Sequence, residues 1–328
     1  MKTKERISGI WLMSMVLLSL CAYTVFFVAQ MWLNLLHAGY LSLAVLQCVT
    51  LIIYLWGPEK LTKKPLKVIY RILYGTSFLV IPAFAFIFMG LLSQYHINIP
   101  EAVDASSYEV KDIVPGDETV IYNTGIVYVF FPEYSDVDLV CKKRPSKSDD
   151  SIVWCSGAAF QHTVSLRFSQ EDVEGDHAVK GTLYESPYNK EGFAAFTCVD
   201  GNYAFEFDHP TEAIREAAEA GGSGFMQFGL IKDGEEIMNY DRPRARCYRT
   251  LAELNGGLCI IDSVKMLHFD EFMEELQRIG VTNAVYMDMG AGWNYSWYRR
   301  PSGKCVTLFG LPVPWSHNWV VFRSGEDL

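Results

Sequence analysis

Asp262 and Asp288 each close a short apolar run, Leu258-Cys-Ile-Ile-Asp262 and Ala284-Val-Tyr-Met-Asp288. A carboxylate at the end of a strand can serve as a base or nucleophile or hold a ligand in place. Between the two runs, Phe269, Phe272, Met273, Leu276 and Ile279 recur at helical spacing, and Gly280 stops the pattern. Two strands joined by a helix of this length are expected to be parallel neighbours, or nearly so. Both carboxylates then share one edge of the sheet, the edge at which ligands bind in open sheets with parallel strands. Taken singly, either aspartate is more readily read as the first residue of a turn; it is the pair that brings the site reading level with it.

Other chemistry-bearing residues flank this unit. Arg242, Arg244, Arg246 and Arg249 crowd into eight positions of an otherwise acidic region. Guanidinium groups suit bidentate recognition of phosphate or carboxylate, while a solvated basic edge is the plainer reading of the first three. Arg249 enters the strand that leads toward Leu258 and is the best placed to point inward. After Asp288 the chain reads Gly290-Ala-Gly-Trp293-Asn-Tyr-Ser-Trp-Tyr298, a glycine turn followed by aromatics. Glycine lets backbone approach a ligand, and aromatic faces stack on sugar rings, although aromatic strands also build cores. His177, in Gly175-Asp-His-Ala-Val179, has the side chain whose ordinary pKa suits acid-base work near neutrality.

Several chemistries find no support. The sequence has no P-loop, nucleophile elbow, HExxH or Rossmann glycine pattern, and no CxxC pair that would suggest zinc. No cofactor or metal is expected. Cys141, Cys155, Cys198, Cys247, Cys259 and Cys305 leave the pairing open, and Cys259 in its apolar run reads as buried.

The elements that must position these residues divide along a charge boundary. Residues up to His96 carry +6 and the remainder −16, which together give the −10 of the 328-residue chain. The acidic remainder excludes nucleic acid as a partner, but not a small phosphate in a local basic pocket. The basic part holds three apolar stretches, Ile7 to about Gln30, about Ala38 to Trp56 and about Val68 to Leu92, each long enough to span a membrane. Lys2, Lys4 and Arg6 before the first stretch, and Lys60, Lys63, Lys64, Lys67 and Arg71 between the second and third, put the N-terminus in the cytoplasm. The expectation is a multi-pass membrane protein whose C-terminal domain is periplasmic or extracellular.

Residues 97–118 read as a stalk, and 119–328 as one domain. Short β-branched and aromatic runs dominate it, including Ile126 to Phe131, Ile152 to Trp154, Gly192 to Cys198, Tyr203 to Phe207 and Phe225 to Ile231. Thr211 to Ala220 reads as a helix, and Lys232-Asp-Gly-Glu235 as a turn. The expected class is therefore α+β: a membrane anchor of three helices over residues 1–96, then a mixed sheet containing a β-α-β unit.

Five motifs, in order and at matching spacing, resemble the phosphodiester glycosidase domain family, which includes the enzyme that uncovers a sugar phosphate by removing N-acetylglucosamine. Tyr248-Arg-Thr-Leu-Ala252 is similar to its arginine strand and Ile260-Ile-Asp-Ser263 to its Val-Asp-Gly strand end. His268-Phe-Asp-Glu-Phe272 resembles its helix start, and Tyr286-Met-Asp-Met-Gly290 its Leu-Asp-Gly-Gly-Gly strand end. Trp154-Cys-Ser-Gly-Ala-Ala-Phe160 looks like its Asn-Gly-Gly-Phe-Phe element, with Ser156 where asparagine is expected; Met289 and Trp293 also depart from the pattern. The resemblance covers roughly Thr119 to Phe322. It implies a hydrolase acting on a sugar 1-phosphodiester of envelope or extracellular glycans; the alternative is a non-catalytic tethered module, either binding phosphoglycans without cleaving them or acting as a sensor domain. It further implies Asp288 as the principal carboxylate, Arg249 as a phosphate clamp and Asp262 as a second carboxylate or an orienting group. Ser156, Gly157, His177, Gln227 and Gly290 would shape the pocket, and Trp293 would stack on the sugar.

Overall fold

The computed structural model describes residues 99–162, 172–238, 245–288, 295–310 and 318–325, together with Lys64, Pro65 and Val68. The chain divides into two compact units, Met1–Gln94 and Tyr95–Leu328, and all the strands among the described residues belong to the second. In chain order they are β1 Val103–Asp104, β2 Val120–Asn123, β3 Val127–Phe131, β4 Asp136–Cys141, β5 Ile152–Gly157, β6 His177–Val179, β7 Thr182–Tyr184, β8 Phe193–Val199 and β9 Asn202–Glu206. Helix α1, Pro210–Glu219, precedes β10 Ser223–Lys232, β11 Glu235–Glu236, β12 Arg249–Leu254 and β13 Gly257–Ser263. Helix α2, Phe269–Arg278, leads to β14 Val281–Tyr286, β15 Tyr295–Arg299, β16 Cys305–Gly310 and β17 Asn318–Arg323.

The strands form two sheets. The larger runs β1-β2-β3-β13-β12-β14-β10-β6-β7, with β8, β9 and β11 attached through β10, and the smaller runs β16-β15-β5-β17-β4. Side chains alternate across each strand, so one face of the large sheet presents Phe130, Leu251, Ile260 and Val285. These pack against Trp154, Leu139, Val320 and Phe322 of the small sheet in the principal core. The opposite face presents Val129, Ala252, Ile261 and Ala284 to α2. Phe272, Met273 and Leu276 of α2 are buried there, each worth about 1.5–3 kcal/mol of apolar transfer. A capping box starts α2, with the Glu271 carboxylate accepting the His268 N–H at 2.8 Å, and Gly280 at φ +79° ends it. Ile99, Ala105 and Ile113, in the stretch expected to be a stalk, are buried, and β1 pairs with β2.

Two expectations are corrected. The α+β class with three N-terminal membrane helices gives way to a mostly-β fold of seventeen strands and two α-helices among the described residues. No helix among them is long and apolar enough to cross a membrane. Each of the two has ten residues, about 15 Å of rise, half the thickness of a hydrocarbon core. The three apolar stretches fall, apart from Val68, outside the described residues. That inference rested on the length and apolar content of the runs and on the basic residues around them, and the membrane partnership and multi-pass location are withdrawn with it. The β-α-β unit also differs in detail. β12 is antiparallel to both β13 and β14 and lies between them, so the two aspartate strands run parallel without touching. The β12–β13 hairpin, turning at Asn255 and Gly256, places the intervening strand before the helix crosses over.

Candidate functional site

The interleaving of β12 brings three candidate residues to one edge. Arg249 opens β12 opposite Asp262 near the end of β13, and its carbonyl accepts the N–H of Met287 at 3.0 Å, just before Asp288. Both expected strand-ending carboxylates therefore flank the arginine strand. Asp288 is half-buried, whereas Arg249 and Asp262 are wholly buried on the inner face, level with Tyr128 of β3.

Arg249 and Asp262 form a bidentate ion pair, the guanidinium donating from Nε to one carboxylate oxygen and from Nη2 to the other at 2.5 Å. The Arg249 Nη1 donates to Ser156 Oγ at 3.0 Å, which crosses from the large sheet to the small one. Ser156 in turn donates to the Gly157 carbonyl at 3.0 Å. The guanidinium carbon lies 5.6 Å from the centroid of the Trp154 ring, a cation–π contact that forms the floor of the pair. In this arrangement the charge of Arg249, the expected phosphate clamp, is matched by Asp262 in a buried pair. Cys247, two residues before Arg249, has its thiol pushed up to about 12, first by burial and then by the Asp262 charge.

The chain leaving β5 completes the edge. The Ala158 carbonyl accepts the Asp288 N–H at 2.9 Å, and Asn318 at the start of β17 binds Ala159 on both sides of its peptide backbone. Phe160 then packs on Tyr286, with ring centroids 5.5 Å apart, and its carbonyl accepts the Glu174 N–H at 2.8 Å. Ser156, Gly157, Arg249, Asp262 and Asp288 are thus brought to one edge, at which the two sheets meet.

His177 and Gln227 lie elsewhere on the large sheet. His177 of β6 stands opposite Phe225 of β10, and Gln227 two residues further along β10 shares that face. Neither makes a described hydrogen bond to the arginine cluster. His177 Nδ1 lies 3.3 Å from the Gly175 carbonyl, and its ring stacks on Tyr184 at 5.2 Å. Burial pushes its pKa down to about 4, so His177 is neutral at physiological pH and unsuited to general-acid work there. The Gln227 Oε1 accepts the Phe228 N–H at 2.9 Å. Gly290 and Trp293, like Arg242 and Arg244, fall outside the described residues.

Comparison with known proteins leaves the family unassigned. No family model and no curated protein matches the sequence. Among solved structures, the chain is similar to the zebrafish N-acetylglucosamine-1-phosphodiester alpha-N-acetylglucosaminidase catalytic domain auto-inhibited by pro-peptide. That likeness has 12% identity and a TM-score of 0.43, and covers 61% of this chain and 77% of that one. A hypothetical protein from Synechocystis is also similar, at 10% identity and a TM-score of 0.36, over 64% of each chain. At those scores neither likeness bears on the chemistry.

A cavity of about 820 Å³ beside Arg299, Arg300 and Arg323 competes for attention, but its cations are already engaged. Arg299 donates to the carbonyls of Lys147, Asp149, Ile152 and Gly303, Arg300 pairs with Glu101, and Arg323 pairs with Asp138 and Asp149. Two contributors to the first edge were missed in the sequence, Trp154 as the floor and Asn318 as a backbone clamp. Both come from the small sheet, and only long-range pairing reveals them.

Proposed function

We propose that this domain is a hydrolase of sugar 1-phosphodiesters, acting at the edge where β12, β13 and β14 meet the chain leaving β5. The observation that supports the reading most is the placement of Asp288 one residue beyond the strand contact with Arg249, tied by its backbone to Ala158. In such a reaction the bond between the anomeric carbon and the phosphate oxygen breaks. The phosphate monoester leaves with that oxygen, and water supplies the new hydroxyl at the sugar. Asp288 would stabilise the oxocarbenium-like state, as nucleophile or as base toward water. A phosphate monoester leaves without a strong general acid, so the reaction does not need His177 to be protonated. Arg249 and Asp262 hold Ser156 and the β12 end in place as a rigid pair, so their role is positioning rather than contact with phosphate. The motif resemblance around Arg249, Asp262 and Asp288 supports the same reaction class.

The departures from the family's pattern at Ser156, Met289 and Trp293 favour a second reading, phosphoglycan binding without cleavage. Turnover of an α-linked sugar 1-phosphodiester by the full-length protein separates the two. Release of free sugar that is abolished in Asp288→Ala is the expected result. Saturable binding with no release would replace the hydrolase by the binding module, and undiminished release by Asp288→Ala would remove Asp288 from the site.

A further inference from the structure

Asn318 is a buried polar residue, 1% exposed, at the first position of β17. Its Oδ1 accepts the Ala159 N–H at 2.7 Å, and its Nδ2 donates to the Ala159 carbonyl at 3.0 Å. The β17–β5 ladder runs only to Trp319 opposite Gly157. Beyond that pair the carboxamide takes the place of a strand's own N–H and C=O and extends the pairing to Ala159. Asparagine suits this use, since it offers one donor group and one acceptor on a short stem, while aspartate offers acceptors alone.

The segment held in this way is the one that holds Asp288. Ala158, buried and adjacent to the clamped peptide, accepts the Asp288 N–H at 2.9 Å. On its other flank, Ser156 receives Arg249 Nη1, and the Arg249 carbonyl receives the Met287 N–H. Asp288 is therefore fixed through a closed circuit: from Ala158 back to Ser156, across to Arg249, and through Met287 to Asp288 again. Asn318 is the group outside that circuit that pins it to β17, the neighbour of β5 in the small sheet.

We propose that Asn318 is a positioning residue for Asp288, setting the location of the β5 exit against which the Asp288 backbone is hung. The catalytic part of this statement rests on the hydrolase reading above; the structural part does not. Misplacement of a reacting group by about 1 Å costs on the order of 100-fold in rate. Loss of the clamp is therefore expected to lower kcat roughly 10- to 100-fold, with KM changed by less than about 3-fold.

The experiment uses the full-length protein with Asn318→Ala and Asn318→Asp, and two readouts. The first is kcat and KM per folded molecule on an α-linked sugar 1-phosphodiester. The second is hydrogen exchange at the Asp288 amide, followed by NMR. Expected are the kcat loss in Asn318→Ala, a loss at least as large in Asn318→Asp, whose second oxygen is set against the Ala159 carbonyl, and faster exchange at Asp288 in both. Unchanged exchange at the Asp288 amide, or unchanged kcat in a folded Asn318→Ala protein whose Asp288→Ala counterpart is dead, overturns the proposal. Should the wild-type protein release no sugar, the hydrolase reading fails, and the exchange result alone decides whether Asn318 positions Asp288. If Asn318→Ala does not fold, Asn318→Ser, which is small, neutral and keeps one hydroxyl, carries both readouts.

Discussion

Replacing Asp262 with asparagine tests the central ion pair. The side chains match in size, so no cavity is opened, and the change is one of charge and donor count. Arg249 is fully buried, with two donations to Asp262, one to Ser156 at 3.0 Å and the Trp154 ring beneath it. In Asp262→Asn the guanidinium keeps its positive charge in the same place, loses the anion paired with it and faces an amide N–H on one side. Leaving a buried charge uncompensated in this way costs about 3–5 kcal/mol. A domain has about 5–15 kcal/mol in all, so the variant would sit near the limit of folding. For a domain above 150 residues that loss corresponds to a fall in Tm of roughly 6–20 °C. Urea denaturation followed by both tryptophan fluorescence and far-UV circular dichroism measures it, with coincident transitions licensing a two-state analysis. Arg249→Met should cost a similar amount, while Arg249→Met with Asp262→Leu should cost less than either single change, because no charge remains buried. An Asp262→Asn protein within about 1 kcal/mol of wild type would refute the claim that a desolvated, fully matched pair lies under this edge.

Two glycines in hairpin turns give a contrast. Gly256 has φ +76° and open space where a Cβ would go, so Gly256→Ala should cost about 1 kcal/mol of backbone strain. Gly201 has φ +75°, but its Cβ would lie 2.2 Å from the Ser135 carbonyl oxygen, so Gly201→Ala should cost at least about 2 kcal/mol more, and equal losses in urea titrations would contradict this. His177 predicts a pH dependence. Its folded pKa of about 4 lies below the ordinary 6.5, so the unfolded chain binds the proton first as the pH falls. Its effect is absent above pH 6.5, grows between 6.5 and 4 to about 3 kcal/mol of lost stability, and is level below that. Stability measured across this range for wild type and His177→Gln should converge or cross as the pH falls, and a pH-independent difference would count against a buried neutral imidazole.

Local signals read well in this chain. The runs ending at Asp262 and Asp288 are β13 and the end of β14, the apolar spacing from Phe269 to Ile279 is α2 and its cap, and Thr211 to Ala220 corresponds to α1 within a residue. Lys232-Asp-Gly-Glu235 is the turn between β10 and β11. Each is set by periodicity or turn chemistry within about a dozen residues. What failed depended on partners distant in sequence. Nothing near Arg249 announces that β12 will separate β13 from β14, or that Ser156, on another sheet, will take one guanidinium nitrogen. Arg249 was expected to point inward from its place at the start of a strand, and it does, but its cross-strand pairing with Asp262 is not legible there. Asn318 carries no local signature, since an asparagine before Trp-Val-Val-Phe reads as an ordinary strand start. The membrane expectation weighed the length and apolar content of three runs, and no described helix has those properties.

The position of β12 between β13 and β14 also governs which changes of length the chain can absorb. The hairpin turn fixes its register against β13, so one residue added between Arg249 and Leu254 would displace every side chain on the N-terminal side of the addition by one place. Arg249 would turn toward the layer occupied by Phe269 and Phe272, and the Tyr248 ring would turn into the seam between the sheets. Both flanking ladders would lose their match together, because β12 is the shared partner of each. Insertions and deletions in this part of the chain are therefore confined to the ends of β12, and the spacing from Arg249 to the Asn255–Gly256 turn is as much a determinant of the edge as the identity of the residues on it.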